Sequence, residues 1–241
     1  MKKPVIILGA MALIAICCGQ EKQTESDNNM VMKQNNKETH NVFKDYIPVK
    51  QLNIKEFNAK RNSSNCYFID DNGIAVEQTV STKFPSGEVT DYIENRKFSN
   101  SGYEFYSEYD ASGKLVKTLV SFYGMETGFM CFYNLLGEII KKEDLDIHYK
   151  FSIDGLIDKM KAEYKVDITD TRICFNVVRG IYEKHNDIPL YSVYLYGVPV
   201  RSQLICYVID GNTEKTLFTT TRYLNEKRES ITDEYFNSLK K

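Results

Sequence analysis

The chain has no tryptophan and only three histidines in 241 residues, and the common signatures of chemistry are missing too. There is no G-x-x-x-x-G-K-S/T phosphate cradle, no G-x-G-x-x-G turn and no G-x-S-x-G elbow. Nucleotide binding and elbow-type nucleophilic catalysis therefore have no support. His40, His148 and His185 form neither an H-x-x-x-H nor an H-E-x-x-H pair. Downstream of residue 18 the cysteines are Cys66, Cys131, Cys174 and Cys206, with no C-x-x-C among them. Structural zinc sites usually draw on such short spacings. Positive charge is not in excess either. The formal net charge is −2, and losing Lys2 and Lys3 would take it to −4, so there is no basic footprint for nucleic acid. The apolar run at residues 5–16 has 12 residues, too short to cross a bilayer comfortably.

That run follows two lysines and ends at Cys17-Cys18, the layout of a secretory signal. It resembles a bacterial lipoprotein signal, which is cut just before a cysteine that is then acylated. Cys18, followed by Gly19, fits the acylated position better than Cys17, which would put Ile16 beside the cut; Cys17 is the alternative. The resemblance implies a signal peptide over 1–18 and palmitate-type acyl chains on one residue. Such chains hold a protein at a membrane face without spanning it. The implied address is the bacterial cell envelope, with the outer membrane as the expected site. The following GQEKQTESDNN resembles the surface-export signals of some Gram-negative lipoproteins. Residues 19–41 carry few apolar positions and read as a disordered tether.

What is abundant is aromatic: 17 Tyr and 13 Phe, a usage that favours strands. Across 42–150, short aromatic runs are punctuated by glycine turns: FIDDNG at 68–73, FPSG at 84–87, FSNSG at 98–102, YDASG at 109–113 and YNLLG at 133–137. Asn72-Gly73 between two apolar runs is a hairpin signal, because both residues accept positive φ. SEYDASGKLVKTLVSFY and MCFYNLLGEIIKKED resemble the MORN-like hairpin repeats of antitoxin-type repeat proteins. The resemblance implies binding to a protein partner, in its narrower form toxin neutralisation. Lys114, Lys117, Glu138 and Lys141 between the aromatics imply one wet face. Residues 42–54, interrupted by Pro48, read as an edge strand or extended lead-in.

The period changes at 151–241. Ile153, Leu156, Ile157, Met160 and Tyr164 lie at helical spacing, with Ser152 as N-cap and Asp154 in the first turn. Residues 172–179 alternate as a strand with Ile173, Phe175 and Val177 on one face, a helix being the alternative that Gly180 and the β-branched content disfavour, and strands follow at 190–196, 203–209 and 215–223. A turn at Asp210-Gly211-Asn212-Thr213 separates the last two. Residues 230–239 read as a helix capped by Ser230, with a stripe of Ile231, Tyr235 and Leu239. A helix followed by a meander ending YVIDGNTEKTLF is similar to PepSY-type domains, mostly modulators or propeptide-like modules, and so implies no catalysis. The expected fold class is α+β: an antiparallel β-meander of hairpin repeats, then a helix, a second antiparallel sheet and a C-terminal helix.

Candidate sites are few. The acidic pairs Asp70-Asp71, Glu143-Asp144 and Asp167/Asp170 are present, but turn acids commonly accept local hydrogen bonds. Asp70-Asp71-Asn72 and Asp210-x-Asn212 lack the twelve-residue loop of an EF-hand. The four cysteines lie in strand runs, where a core thiol and a disulfide of an exported protein are both open readings. Adjacent aromatics (Phe105/Tyr106, Phe122/Tyr123, Phe132/Tyr133) point to opposite faces of a strand. Either both faces are covered, or one presents a tyrosine-rich surface to a partner, with Tyr103, Tyr106, Tyr109, Tyr123 and Tyr133 as the candidates. The expectation is a lipid-anchored, non-catalytic binding module needing no cofactor. The alternatives are a structural envelope lipoprotein and a hydrolase with an unrecognised site.

Overall fold

The first sheet grows from one turn construction used three times. Asp70, Asp110 and Asn134 each turn a side-chain oxygen back onto the backbone. Asp70 Oδ1 accepts from the N–H groups of Asn72 and Ile74, Asp110 Oδ1 from Ser112 and Lys114, and Asn134 Oδ1 from Leu136 and Glu138. The glycines at 73, 113 and 137 close the turns with φ of +75°, +83° and +71°. These turns join β1 (Asn65–Ile69) to β2 (Ala75–Lys83), β4 (Tyr103–Asp110) to β5 (Leu115–Phe122), and β6 (Met125–Tyr133) to β7 (Ile139–Asp144). Strand β3 (Glu88–Lys97) lies between β2 and β4. The two-residue link of β5 to β6, Tyr123-Gly124, has positive φ at both positions, the geometry that suits strand twist. All seven strands pair antiparallel in chain order.

The computed structural model describes residues 40–240; the expected signal over 1–18, with Cys17 and Cys18, and the expected tether up to residue 39 lie outside the described residues. His40 donates its N–H to Asp154 at 2.9 Å and its Nε2 pairs with Asp158 at 2.7 Å, so the chain is fixed from residue 40 onward.

One face of the sheet is covered by two separate groups of side chains. Helix α1 (Ile54–Lys60), capped by Asn53, lays Phe57 on Leu52, Cys66, Val80, Tyr92, Tyr109 and Leu115. Of the two readings of 42–54, the edge strand is not formed: a turn at 42–45 leads into irregular chain whose one bridge is Gln51 to Lys114, and α1 follows it without having been expected. A seven-residue helix burying a single side chain shows no 3.6-residue period to detect. Helix α2 (Ile153–Tyr164) is the predicted one. Ser152 accepts from the Gly155 N–H, and Ile153, Leu156, Ile157 and Met160 are buried. They fill a core with Tyr103, Phe105 and Phe122 of the first sheet and Val177, Tyr191, Val193 and Leu195 of the second. Each such aliphatic burial contributes about 1.5–3 kcal/mol.

The second sheet holds β8 (Cys174–Tyr182), β9 (Ile188–Tyr196), β10 (Gln203–Asp210) and β11 (Thr216–Tyr223), in the order β11-β10-β9-β8. Its outer face, with Leu190, Leu204, Cys206 and Val208, takes Ile231 and Phe236 of helix α3 (Ile231–Ser238). Two details differ from expectation. A bulge between Cys174 and Asn176 turns Cys174 and Val177 inward, which leaves Ile173 and Phe175 exposed. The buried face of α3 is Ile231, Thr232 and Phe236, while Leu239 is the exposed C-cap.

The two sheets are also tied by a polar clamp. Arg179 on β8 pairs with Asp146 just beyond β7 and donates to the carbonyls of Glu126 and Leu145. Its guanidinium lies 4.7 Å from the Tyr149 ring centroid. Asp146 in turn accepts from Thr127 Oγ1 and from the N–H of Gly128.

Candidate interaction surface

The other face of the seven-stranded sheet is the candidate surface. Strand parity divides the residues cleanly in β4. Tyr103, Phe105, Ser107 and Tyr109 are buried, while Glu104, Tyr106, Glu108 and Asp110 are half-buried and point the other way. Register carries this second set across the sheet. Tyr106 lies between Asn95 of β3 and Leu119 of β5, Glu108 between Ile93 and Lys117, and Glu104 between Lys97 and Ser121. Lys117 continues to Phe132 of β6 and Phe132 to Lys141 of β7. At the opposite edge Tyr67 of β1 pairs with Glu77 of β2 and stands 69% exposed. None of these residues belongs to a hydrophobic cluster, and among the described residues no helix or second sheet packs over them.

The five candidate tyrosines separate accordingly. Tyr103 and Tyr109 are 1% and 0% exposed on the covered face, which removes them from any partner surface. Tyr123 occupies the β5–β6 turn and donates its hydroxyl to the Cys174 carbonyl at 3.2 Å. Tyr133 packs against the α1 cluster with its hydroxyl 3.0 Å from Thr118 Oγ1. Only Tyr106 stands on the open face. The expected wet-face charges divide as well: Lys117 and Lys141 lie on it, whereas Lys114 and Glu138 sit at turns.

Around Tyr106 the face dips into a groove of about 350 Å³, with Glu104, Lys117, Leu119 and Glu126 among its walls. Leu119 is its apolar floor, 7% exposed between taller neighbours. Tyr106 donates to Glu108 at 3.0 Å and lies 5.2 Å below the Lys117 ammonium. Burial, that hydrogen bond and the nearby charges of Glu108, Asp91 and Glu126 hold its phenol above the ordinary range. The lysines are committed to ion pairs: Lys97 with Glu104 at 2.6 Å, Lys117 with Glu108, and Lys141 with Glu143.

The remaining polar residues have local work. The turn acids Asp70, Asp170 and Asp210 accept backbone N–H bonds, as their positions suggested. Asp70 and Glu94 share Arg96, and Gln78 donates to Glu94 at 2.7 Å beneath the cover. Among the described residues no three His, Cys, Asp or Glu side chains converge on a cation-sized point. The four cysteines are free thiols; burial pushes Cys174 up to about 12 and Cys206 to about 11. His185 stacks on Phe236 at 3.5 Å. The residues missed from sequence are Leu119, Ile93, Tyr67 and the acids Glu77, Asp91 and Glu126. Stepping by two from Tyr106 along β4, then across the ladder, finds them.

Comparison with protein-family models, curated proteins and solved structures finds no match. The surface therefore has to be interpreted from its own chemistry. A shallow aromatic and charged groove, with its acids and lysines paired side by side, offers contact area and hydrogen bonds. Nothing in it is arranged as a nucleophile with a base and an orienting third group.

Proposed function

We propose that this chain is a non-catalytic binding module, held at a bacterial cell envelope by N-terminal acyl chains, which takes a protein partner on the open face of its seven-stranded sheet. The observation that carries the reading is the asymmetry of that sheet. One face is covered by α1, α2 and the second sheet except along the exposed edge strand β7, while the other leaves Tyr67, Ile93 and Phe132 on the same face as the Tyr106 groove with its leucine floor. Half-exposed tyrosine above a sunken apolar residue is the composition of a contact centre, and the flanking ion pairs suit a rim. Toxin neutralisation is the narrower form of this reading, and it rests on the resemblance of the hairpin repeats alone.

A photocrosslinking residue placed at Tyr106 of the full chain, in its native envelope, tests the surface; one at exposed Thr219 on β11 is the control. A discrete adduct from position 106 and none from 219 supports the reading. No adduct, or the same adducts from both, refutes it. The anchor is tested separately by palmitate labelling of wild type against Cys18→Ala: unchanged labelling rejects Cys18.

A further inference from the structure

Charge on the open face is unevenly satisfied. Its three lysines are each closed by a carboxylate within the face, as described above. Glu77 on β2, Asp91 on β3 and Glu126 on β6 share the parity of the face, and among the described residues none of them forms an ion pair with a lysine or arginine; Asp91 accepts only the Thr90 hydroxyl at 2.7 Å. Glu77 and Glu126 are exposed and Asp91 half-buried. Glu126 lines the Tyr106 groove, Glu77 pairs with its wall residue Asn95, and Asp91 lies four residues along β3 from Asn95, so they come from three strands rather than one turn. Between them lie Ile93, Leu119 and Phe132.

Resting on the reading of this face as a binding surface, we infer that its partner is a protein segment carrying Lys or Arg side chains around an apolar anchor: the cations meet Glu77, Asp91 and Glu126, and the anchor enters above Leu119. An anionic partner would bring like charges against three unpaired carboxylates, and such juxtaposition suppresses wrong partners. A purely apolar one would leave those carboxylates partly desolvated without a counter-ion. Each exposed pair adds little by itself, so the three together set orientation and encounter rate more than raw affinity.

The test uses the full chain and two defined probes, a peptide of alternating Lys and Leu and its Glu and Leu counterpart, followed by fluorescence anisotropy. The Lys peptide is expected to bind more tightly, with affinity falling as salt rises. The variant Glu77→Lys, Asp91→Lys, Glu126→Lys is expected to lose about tenfold or more. A control with the same change in net charge, Asp45→Lys, Asp71→Lys, Glu183→Lys, is expected to lose less than about threefold. Equal losses in the two triple variants, or equal binding of the two peptides, overturn the inference. If the crosslink from position 106 survives the face triple variant, a partner binds there but is not held by cationic groups, and the inference alone fails. If the crosslink never forms and neither peptide binds, the binding-surface reading fails with it.

Discussion

Removing the Arg179 guanidinium should weaken the joint between the two sheets by a definable amount. The group donates to a carboxylate and to two backbone carbonyls, and it stacks on Tyr149. An exposed ion pair contributes about 0–1 kcal/mol, and breaking a buried one costs about 3–5 kcal/mol. With side-chain exposures of 10% for Arg179 and 27% for Asp146, this pair lies between those limits. Asp146 also keeps Thr127 and Gly128 as donors after the arginine is lost, so its charge is not stranded. The larger loss is at the Glu126 and Leu145 carbonyls, which are left without their donor. Arg179→Met is therefore expected to cost about 2–3 kcal/mol. Asp146→Asn, which retains an oxygen for the Gly128 N–H, is expected to cost about 1–2 kcal/mol. The two groups touch, so the double variant should fall short of the sum by about 1 kcal/mol or more. Guanidinium unfolding followed by far-ultraviolet circular dichroism measures all three, since the chain has no tryptophan to report. A cost below about 0.5 kcal/mol for Arg179→Met, or strict additivity, would show that the clamp does not couple the sheets.

Other substitutions separate the two faces and the close approaches. Tyr103→Ala should cost about 3–5 kcal/mol and Tyr106→Ala less than about 1, while Tyr109→Phe should be close to neutral because the buried Tyr109 hydroxyl makes no hydrogen bond among the described residues. The same denaturation series checks them. A Cβ at Gly102 would stand 2.3 Å from Tyr123 Cε2, so Gly102→Ala should displace that ring from the Cys174 carbonyl and cost about 1–3 kcal/mol. Ser152→Ala should lose about 1 kcal/mol with the Gly155 bond, read as a drop in midpoint. The raised thiols of Cys174 and Cys206 stay neutral in the fold but ionise in the unfolded chain near 9. The stability they represent is present below that pH and lost between about 9 and 12. Midpoints at pH 8 and pH 10.5 should differ, buried tyrosines such as Tyr103 and Tyr123 adding their own loss above about 10, and Cys174→Ala should reduce the difference without abolishing it; pH-independent midpoints would contradict the assigned burial.

Turn chemistry made much of the fold readable. An acid or amide followed three residues later by glycine fixes a local loop whatever packs on it, and three of six hairpin turns in the first sheet use that device. Helix α2 was equally clear, because its four buried side chains recur at helical spacing behind a serine cap. Helix α1 was not, since its one buried residue, Phe57, leaves nothing periodic. The facing of β8 at Ile173 and Phe175 departs from simple alternation because a bulge adds a residue to one strand without any required residue type.

The same contrast governs the surface. Within β4 the alternation of YEFYSEYD is enough to part Tyr106 from Tyr103 and Tyr109: one phase carries three aromatics and a serine, the other two glutamates, an aspartate and Tyr106. The phase with more charge must face water, because burying three carboxylates would cost far more than exposing one tyrosine. Tyr133 could not be placed by that rule. Register shifts between Thr118 and Val120 and between Phe132 and Tyr133 reset the phase across β5, β6 and β7. Gly128, at φ +69°, is the one residue in that region whose type hints at the break. Tyr123 falls outside any phase because it is a turn residue with φ of 52°. A partner on the open face therefore meets Tyr106 and Phe132 but neither of their chain neighbours Phe105 and Tyr133, so Phe132→Ala should weaken the crosslink from position 106 while Tyr133→Phe should leave it unchanged.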